Sequence, residues 1–211
     1  HPENLGRLSY DRIYREVALA DSIITKTIGK NPEGFIAPAR SSSPKLLSVL
    51  NKMEYKYDHS VAPSWLMSLA VLKNAFNHFG SRKFKKIISR EDWLIHLFGN
   101  RNPQKIGNLI ELPLPTNNFR MPCWHTLCFV FGWEIFEKIL RSSLNEMDCF
   151  YYLVHPADLI DENDLDKDKV LYLDRLEYKL EEKIESIEKA IRIILESGRE
   201  IVTMKELSTK I

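Results

Sequence analysis

The chain has 211 residues, of which 44% are apolar and 28% charged, with a formal net charge of +1. That composition excludes disorder and fits one sizeable core and a single domain spanning residues 1–211. The near-neutral balance argues against nucleic acid or a membrane surface as partner, and no apolar run reaches the roughly 20 residues that span a bilayer.

No signal-peptide pattern opens the chain, which starts abruptly at His1-Pro2, so a longer protein is expected upstream. Ser9 is a candidate N-cap for a helix with Asp11 in its first turn. Ile13, Val17, Ala20, Ile24 and Ile28 follow at helical spacing, and Gly29 ends it. Asn31-Pro32 turns the chain, and Gly34-Phe35-Ile36-Ala37-Pro38 reads as a short strand closed by proline. Ser43-Pro44 starts a second helix, burying Leu46, Leu47, Leu50 and Met53. Tyr55-Lys56-Tyr57-Asp58 alternates like a strand.

Residues 63–79 carry Trp65, Leu66, Leu69, Leu72, Phe76 and Phe79, a helix buried along one side, with His78 on its surface. Arg82-Lys83-Phe84-Lys85-Lys86 reads as a solvated basic face. The segment from Glu91-Asp92-Trp93 to Gly99-Asn100-Arg101-Asn102-Pro103 has no periodicity. Leu109-Ile110-Glu111-Leu112-Pro113 is another short strand. Trp124, Phe129, Trp133, Phe136 and Leu140 indicate an aromatic-faced helix. Cys123 and Cys128 flank His125 there and read as core or free thiols rather than a metal knuckle, which favours the cytoplasm over the cell envelope.

The run Phe150-Tyr151-Tyr152-Leu153-Val154-His155-Pro156 has the pattern of a buried strand delivering one imidazole to its end. Histidine titrates near neutrality, so such a placement suits proton transfer or metal binding. After an aspartate-rich loop over 158–168, Leu176, Leu180, Ile184, Ile187, Ile191 and Ile194 form the stripe of a packing helix. Gly198 stops that helix, Ile201-Val202-Thr203 reads as a last strand, and 204–211 as a short closing helix or tail. Alternating strands and helices predict a parallel sheet with its site at the carboxyl ends of the strands.

Taken together, His1-Pro2, Gly34-Phe35-Ile36-Ala37-Pro38, Tyr57-Asp58-His59-Ser60, Glu111-Leu112-Pro113 and residues 150–161 resemble the polysaccharide deacetylase family of NodB-homology domains, in its exopolysaccharide-biosynthesis branch. The resemblance implies a distorted parallel (β/α) barrel, incomplete at its N-terminus. It also implies hydrolysis of acetyl groups on a carbohydrate by a divalent metal, zinc in the first place.

Residue by residue, the resemblance makes His1 a metal ligand and His155 the acid that protonates the leaving group. Pro38 and Ala39 belong to the oxyanion segment, Ala39 offering a backbone N–H, and Leu153 to the wall of the acetyl pocket. Asp158 is the candidate carboxylate beside His155. Trp65 and Trp124 are candidates for stacking on sugar rings. The family's paired aspartates and first histidine are absent, and Ile36 stands where the family has a base-orienting arginine. Arg40 is the candidate replacement. The alternative is a catalytically inactive carbohydrate-binding or regulatory protein on the same fold. The sugar, the linkage and the oligomeric state are open.

Overall fold

A computed structural model describes residues 5–77, 79–80, 93–164 and 175–211. The expectations placed on His1, His78, the basic run at 82–86 and the acids beyond 164 lie outside the described residues. The chain divides into two compact units: His1–Leu114 with Val202–Ile211, and Pro115–Ile201.

In the first unit, a 3-10 turn at Leu5–Arg7 leads into helix α1, Tyr10–Ile28. Ser9 takes the N-cap position in extended backbone. Gly29 ends the helix at φ 71°, its N–H bonded to the Thr25 carbonyl, a left-handed stop that costs glycine nothing. Only Ile13 and Val17 of the expected stripe are buried. Ile24 and Ile28 are exposed, because the last turns run past the core they were expected to cover. Helix α2, Pro44–Lys52, follows the rule for its start: the Ser43 hydroxyl accepts the Leu46 N–H and proline sits in the first turn. Its Leu46, Val49 and Leu50 join Ile13, Val17, Tyr55 and Leu109 in the core.

Between and after these helices come β1 (Gly34–Phe35), β2 (Tyr57–Asp58), β3 (Gln104–Ile106) and β4 (Leu109–Glu111). They form one sheet in the order β1-β2-β4-β3. β1, β2 and β4 are parallel, and β3 closes the edge antiparallel to β4. A Cβ on Gly34 would lie 2.1 Å from the Tyr57 ring, so the close approach of β2 requires glycine there. Helices α3 (Trp65–Asn77) and α4 (Trp93–Phe98) come between β2 and β3, and a short closing helix, Met204–Thr209, carries a Thr203–Glu206 capping box.

The expected parallel (β/α) barrel is corrected by this sheet. Among the described residues there are four short strands, one of them antiparallel, and no barrel. Strands of two or three residues are long enough to set a register but too short to curve a sheet into closure.

The second unit is helical: α5 (Thr126–Phe131), α6 (Trp133–Glu146) and α7 (Leu180–Glu196), with a 3-10 turn at Pro156–Leu159. The single aromatic helix expected here is broken at Gly132, whose φ of 78° no helix accommodates. The strand expected at 150–154 is absent; only Leu153 makes one bridge, parallel to Trp124. Its apolar run pairs with no continuous neighbour, and an apolar run alone does not distinguish a strand from packed coil. The last strand expected at 201–203 is coil, with Thr203 serving as a helix cap.

Candidate functional site at the carboxyl edge of the parallel strands

In open parallel sheets ligands meet the chain outside the carboxyl ends of the strands, and here that edge carries a cluster of buried polar side chains. The register sets Asp58, last residue of β2, beside Glu111, last of β4. Both are completely buried. The Ser60 hydroxyl donates to Asp58 Oδ1 at 2.6 Å and the Ser60 N–H to Oδ2 at 3.2 Å. The Val61 N–H donates to Glu111 Oε1 at 3.1 Å. The two carboxyl groups hydrogen-bond to each other, and Glu111 Oε2 receives no donor.

Two buried acids in contact cannot both ionise. Burial, and then the charge of Asp58 and its hydrogen bond, push Glu111 up to about 10, against smaller opposing effects of the Val61 N–H and Arg40. Burial also raises Asp58, while the hydrogen bonds from Glu111 and Ser60 and the field of Arg40 pull it back.

The same network holds the loop after β1. The Ala37 N–H donates to Ser60 Oγ at 2.7 Å, and Arg40 Nη1 donates to the His59 carbonyl at 2.8 Å. Between them the chain turns sharply, with Ala39 and Arg40 successively at φ 51° and 50°. Left-handed backbone costs a non-glycine residue roughly 1–2 kcal/mol, so the loop needs the clamps on either side of it. Ile36, Pro38 and Ala39 are exposed on this loop, whereas Arg40 is buried and its Nη2 has no partner. Half-buried His59 is held neutral, lowered to about 4 by burial and then by Arg40. Trp65 starts α3 a few residues beyond the same edge and is partly exposed.

His155 and Leu153 fall in the second unit. Instead of ending a buried strand, His155 is exposed and N-caps the 3-10 turn at Pro156–Leu159. Buried Asp158 is indeed beside it, accepting the His155 N–H at 2.8 Å and lying 3.8 Å from Nδ1. Its other oxygen takes Arg175 Nε at 2.9 Å. Thr126 Oγ1 is 3.3 Å from His155 Nδ1. Trp124 is half-buried in its bridge to Leu153.

His125, given no role in the sequence beyond lying between two cysteines, is fully buried between Tyr152 Oη (2.6 Å from Nδ1) and Ser186 Oγ (3.0 Å from Nε2). Ser186 donates onward to the Lys183 carbonyl, so its oxygen accepts from Nε2–H and the Tyr152 hydroxyl donates to Nδ1. Cys123 and Cys128 are free and buried, as read, and burial pushes Cys123 up to about 12, which leaves it an inert thiol.

Residues 5–60 match the model of glycosyl hydrolase family 57. That family's chemistry is glycosidic-bond hydrolysis. The likeness is to a carbohydrate-active hydrolase and covers the elements from the first 3-10 turn through Ser60. No curated protein and no solved structure matches the chain. The match overturns the resemblance to polysaccharide deacetylases, and with it metal-dependent deacetylation and an acetylated carbohydrate as substrate. Gly34-Phe35-Ile36-Ala37-Pro38 and Tyr57-Asp58-His59-Ser60, the motifs that carried that resemblance in the first unit, lie inside the matched segment. Zinc loses its support with them: His1, its one assigned ligand, lies outside the described residues, and among those described no three His, Cys, Asp or Glu gather as a metal site. No helix among the described residues is long and apolar enough to cross a membrane.

Proposed function

We propose that this chain forms part of a carbohydrate-active hydrolase that cleaves glycosidic bonds, with the carboxyl edge of β1, β2 and β4 turned toward the sugar. The observation that carries the reading is the coincidence of the matched segment with the edge itself: residues 5–60 supply β1, the left-handed loop at Ala39 and Arg40, and β2 through Ser60.

Asp58 and Glu111 act within it as a positioning pair. Carboxyl groups that flank a scissile glycosidic bond stand roughly 5 Å apart or more, to leave room for the sugar or for a water. A pair in mutual hydrogen-bond contact, with both groups buried, is closer than that and out of the substrate's reach. What it does is fix the loop whose exposed Ile36, Pro38 and Ala39, with His59 and Trp65, make the outward surface of the edge. Trp65 offers an aromatic face for a sugar ring.

The test is release of new reducing ends by the full chain from a panel of α-glucans, β-glucans and aryl glycosides. Trp65→Ala serves as the edge variant, with sugar binding followed in parallel by calorimetry. Turnover of one glycoside class that Trp65→Ala weakens through KM supports the reading. Acetate release without new reducing ends, binding without turnover, or neither binding nor turnover would each overturn it.

A further inference from the structure

We propose that Asp58 and Glu111 share one proton, carried on Glu111 Oε2 and donated to the Asp58 carboxylate, and that this proton latches the loop at 36–40. Of the four carboxyl oxygens, both of Asp58 and Oε1 of Glu111 receive donors from Ser60 and Val61. The fourth, Glu111 Oε2, is buried without a donor. A carboxylate oxygen in that position would forfeit its hydration with no return, whereas a carboxylic acid there has an acceptor in contact, the neighbouring aspartate. The upward displacement of Glu111 has the same origin.

The proton acts on the loop through a short chain. Asp58, kept ionised by the proton on its neighbour, accepts the Ser60 hydroxyl, and Ser60 Oγ in turn accepts the Ala37 N–H. Loss of the proton to solvent leaves two adjacent buried negative charges, which the structure can relieve only by opening this edge to water. Among the described residues the groups acting on the pair are Arg40 from the loop, Ser60 and Val61 from the segment after β2, and the two acids themselves. His59, next to Asp58, is held neutral by burial and then by the same Arg40 field. Arg40 Nη2, which has no partner while the pair is protonated, is the cation that the opened carboxylates would meet. This inference deepens the positioning role given to the pair above, and its tests read a proton and a loop whether or not the edge takes a sugar.

Two measurements on the full chain test it. Infrared spectroscopy with 13C-labelled glutamate at neutral pH is expected to show one protonated-carboxyl carbonyl band, absent in Glu111→Gln. Its absence in the wild type overturns the shared proton without reliance on any variant. Amide exchange of Ala37, expressed as a protection factor, is expected to fall between pH 6 and pH 9 by up to about tenfold per pH unit, the limit for one proton released on opening. In Glu111→Gln, whose amide can donate without titrating, that protection is expected to be flat with pH. In Ser60→Ala it is expected to be low throughout while the infrared band persists. Wild-type protection that is independent of pH, or equally pH-dependent in Glu111→Gln, overturns the latch.

Discussion

Two buried polar groups in this chain, one in each compact unit, are built on opposite terms. His125 meets a donor at Nδ1 and an acceptor at Nε2, with three aromatic rings edge-on around it. Asp58 and Glu111 bring two acids together and leave one oxygen without a donor. A fully satisfied network specifies packing and needs nothing further, whereas an unsatisfied one must hold a proton, a strain or a ligand. The residue that balances is read as structure, and the residue that does not is read as a device.

Asp58→Ala should be the sharpest break. It removes the acceptor of two Ser60 bonds and the partner of Glu111 in one step, so urea unfolding is expected to show a loss of about 3 kcal/mol or more. Glu111→Gln should cost under about 1 kcal/mol, because its amide still accepts from Val61 and donates to Asp58. If both cost the same, the proton is not where the geometry puts it. His125→Phe keeps the ring but leaves the Tyr152 hydroxyl and Ser186 without their partner, a loss of about 1–3 kcal/mol in the same measurement.

The two groups also oppose each other in pH. His59 and His125 are lowered to about 4 from 6.5, chiefly by burial. Between those values the unfolded chain binds protons that the folded chain refuses, so both histidines make stability rise as pH climbs from 4 to 6.5. Glu111 works the other way. Its folded value of about 10 against 4.5 means that the folded chain keeps a proton the unfolded chain releases, and stability falls as pH rises through that window. Thermal unfolding across pH should therefore show a flatter alkaline limb in Glu111→Gln and a flatter acid limb in His125→Phe. Unchanged limbs would separate the burial of these groups from their protonation.

Much of the first unit was legible because its signals are local. Ser9, Gly29 and Ser43-Pro44 mark helix ends through chemistry confined to a few residues, and the short strands at 34, 57 and 109 fall where proline and alternation put them. Apart from the short helix Trp93–Phe98, which lies in a segment read as having no periodicity, what failed was whatever depends on a neighbour. The apolar run before His155 has the composition of a strand, but pairing is a property of two segments, and only Leu153 found a partner. The stripe of α1 continues to Ile28 in sequence while the core ends near Val17. The barrel rested on family resemblance and on alternation, neither of which counts strands. The acids that define the candidate edge, Asp58 and Glu111, are 53 positions apart, and only the β2–β4 register places them side by side. An acid within each of the two short strands, Asp58 and Glu111, was the available signal. His155 drew attention instead because it followed a longer apolar run.

A surface network in the second unit sets the lower bound of the comparison. Glu137 accepts from Trp133 Nε1 at 3.0 Å and from Arg141 Nε at 2.8 Å, two donors where Glu111 receives one, the Val61 N–H. By hydrogen-bond count alone it should matter more than the buried acid. Arg141 is half-exposed, however, and water replaces the lost bonds there at little cost. Glu137→Gln, which keeps one acceptor oxygen and drops the charge while water takes up the freed donor, is therefore expected to leave the thermal midpoint unchanged and to remove any salt dependence that the pair contributes. A shift as large as that of Asp58→Ala would mean that partner number, and not burial, ranks the polar groups of this chain. The inference of a trapped proton, which rests on burial, would then lose its footing.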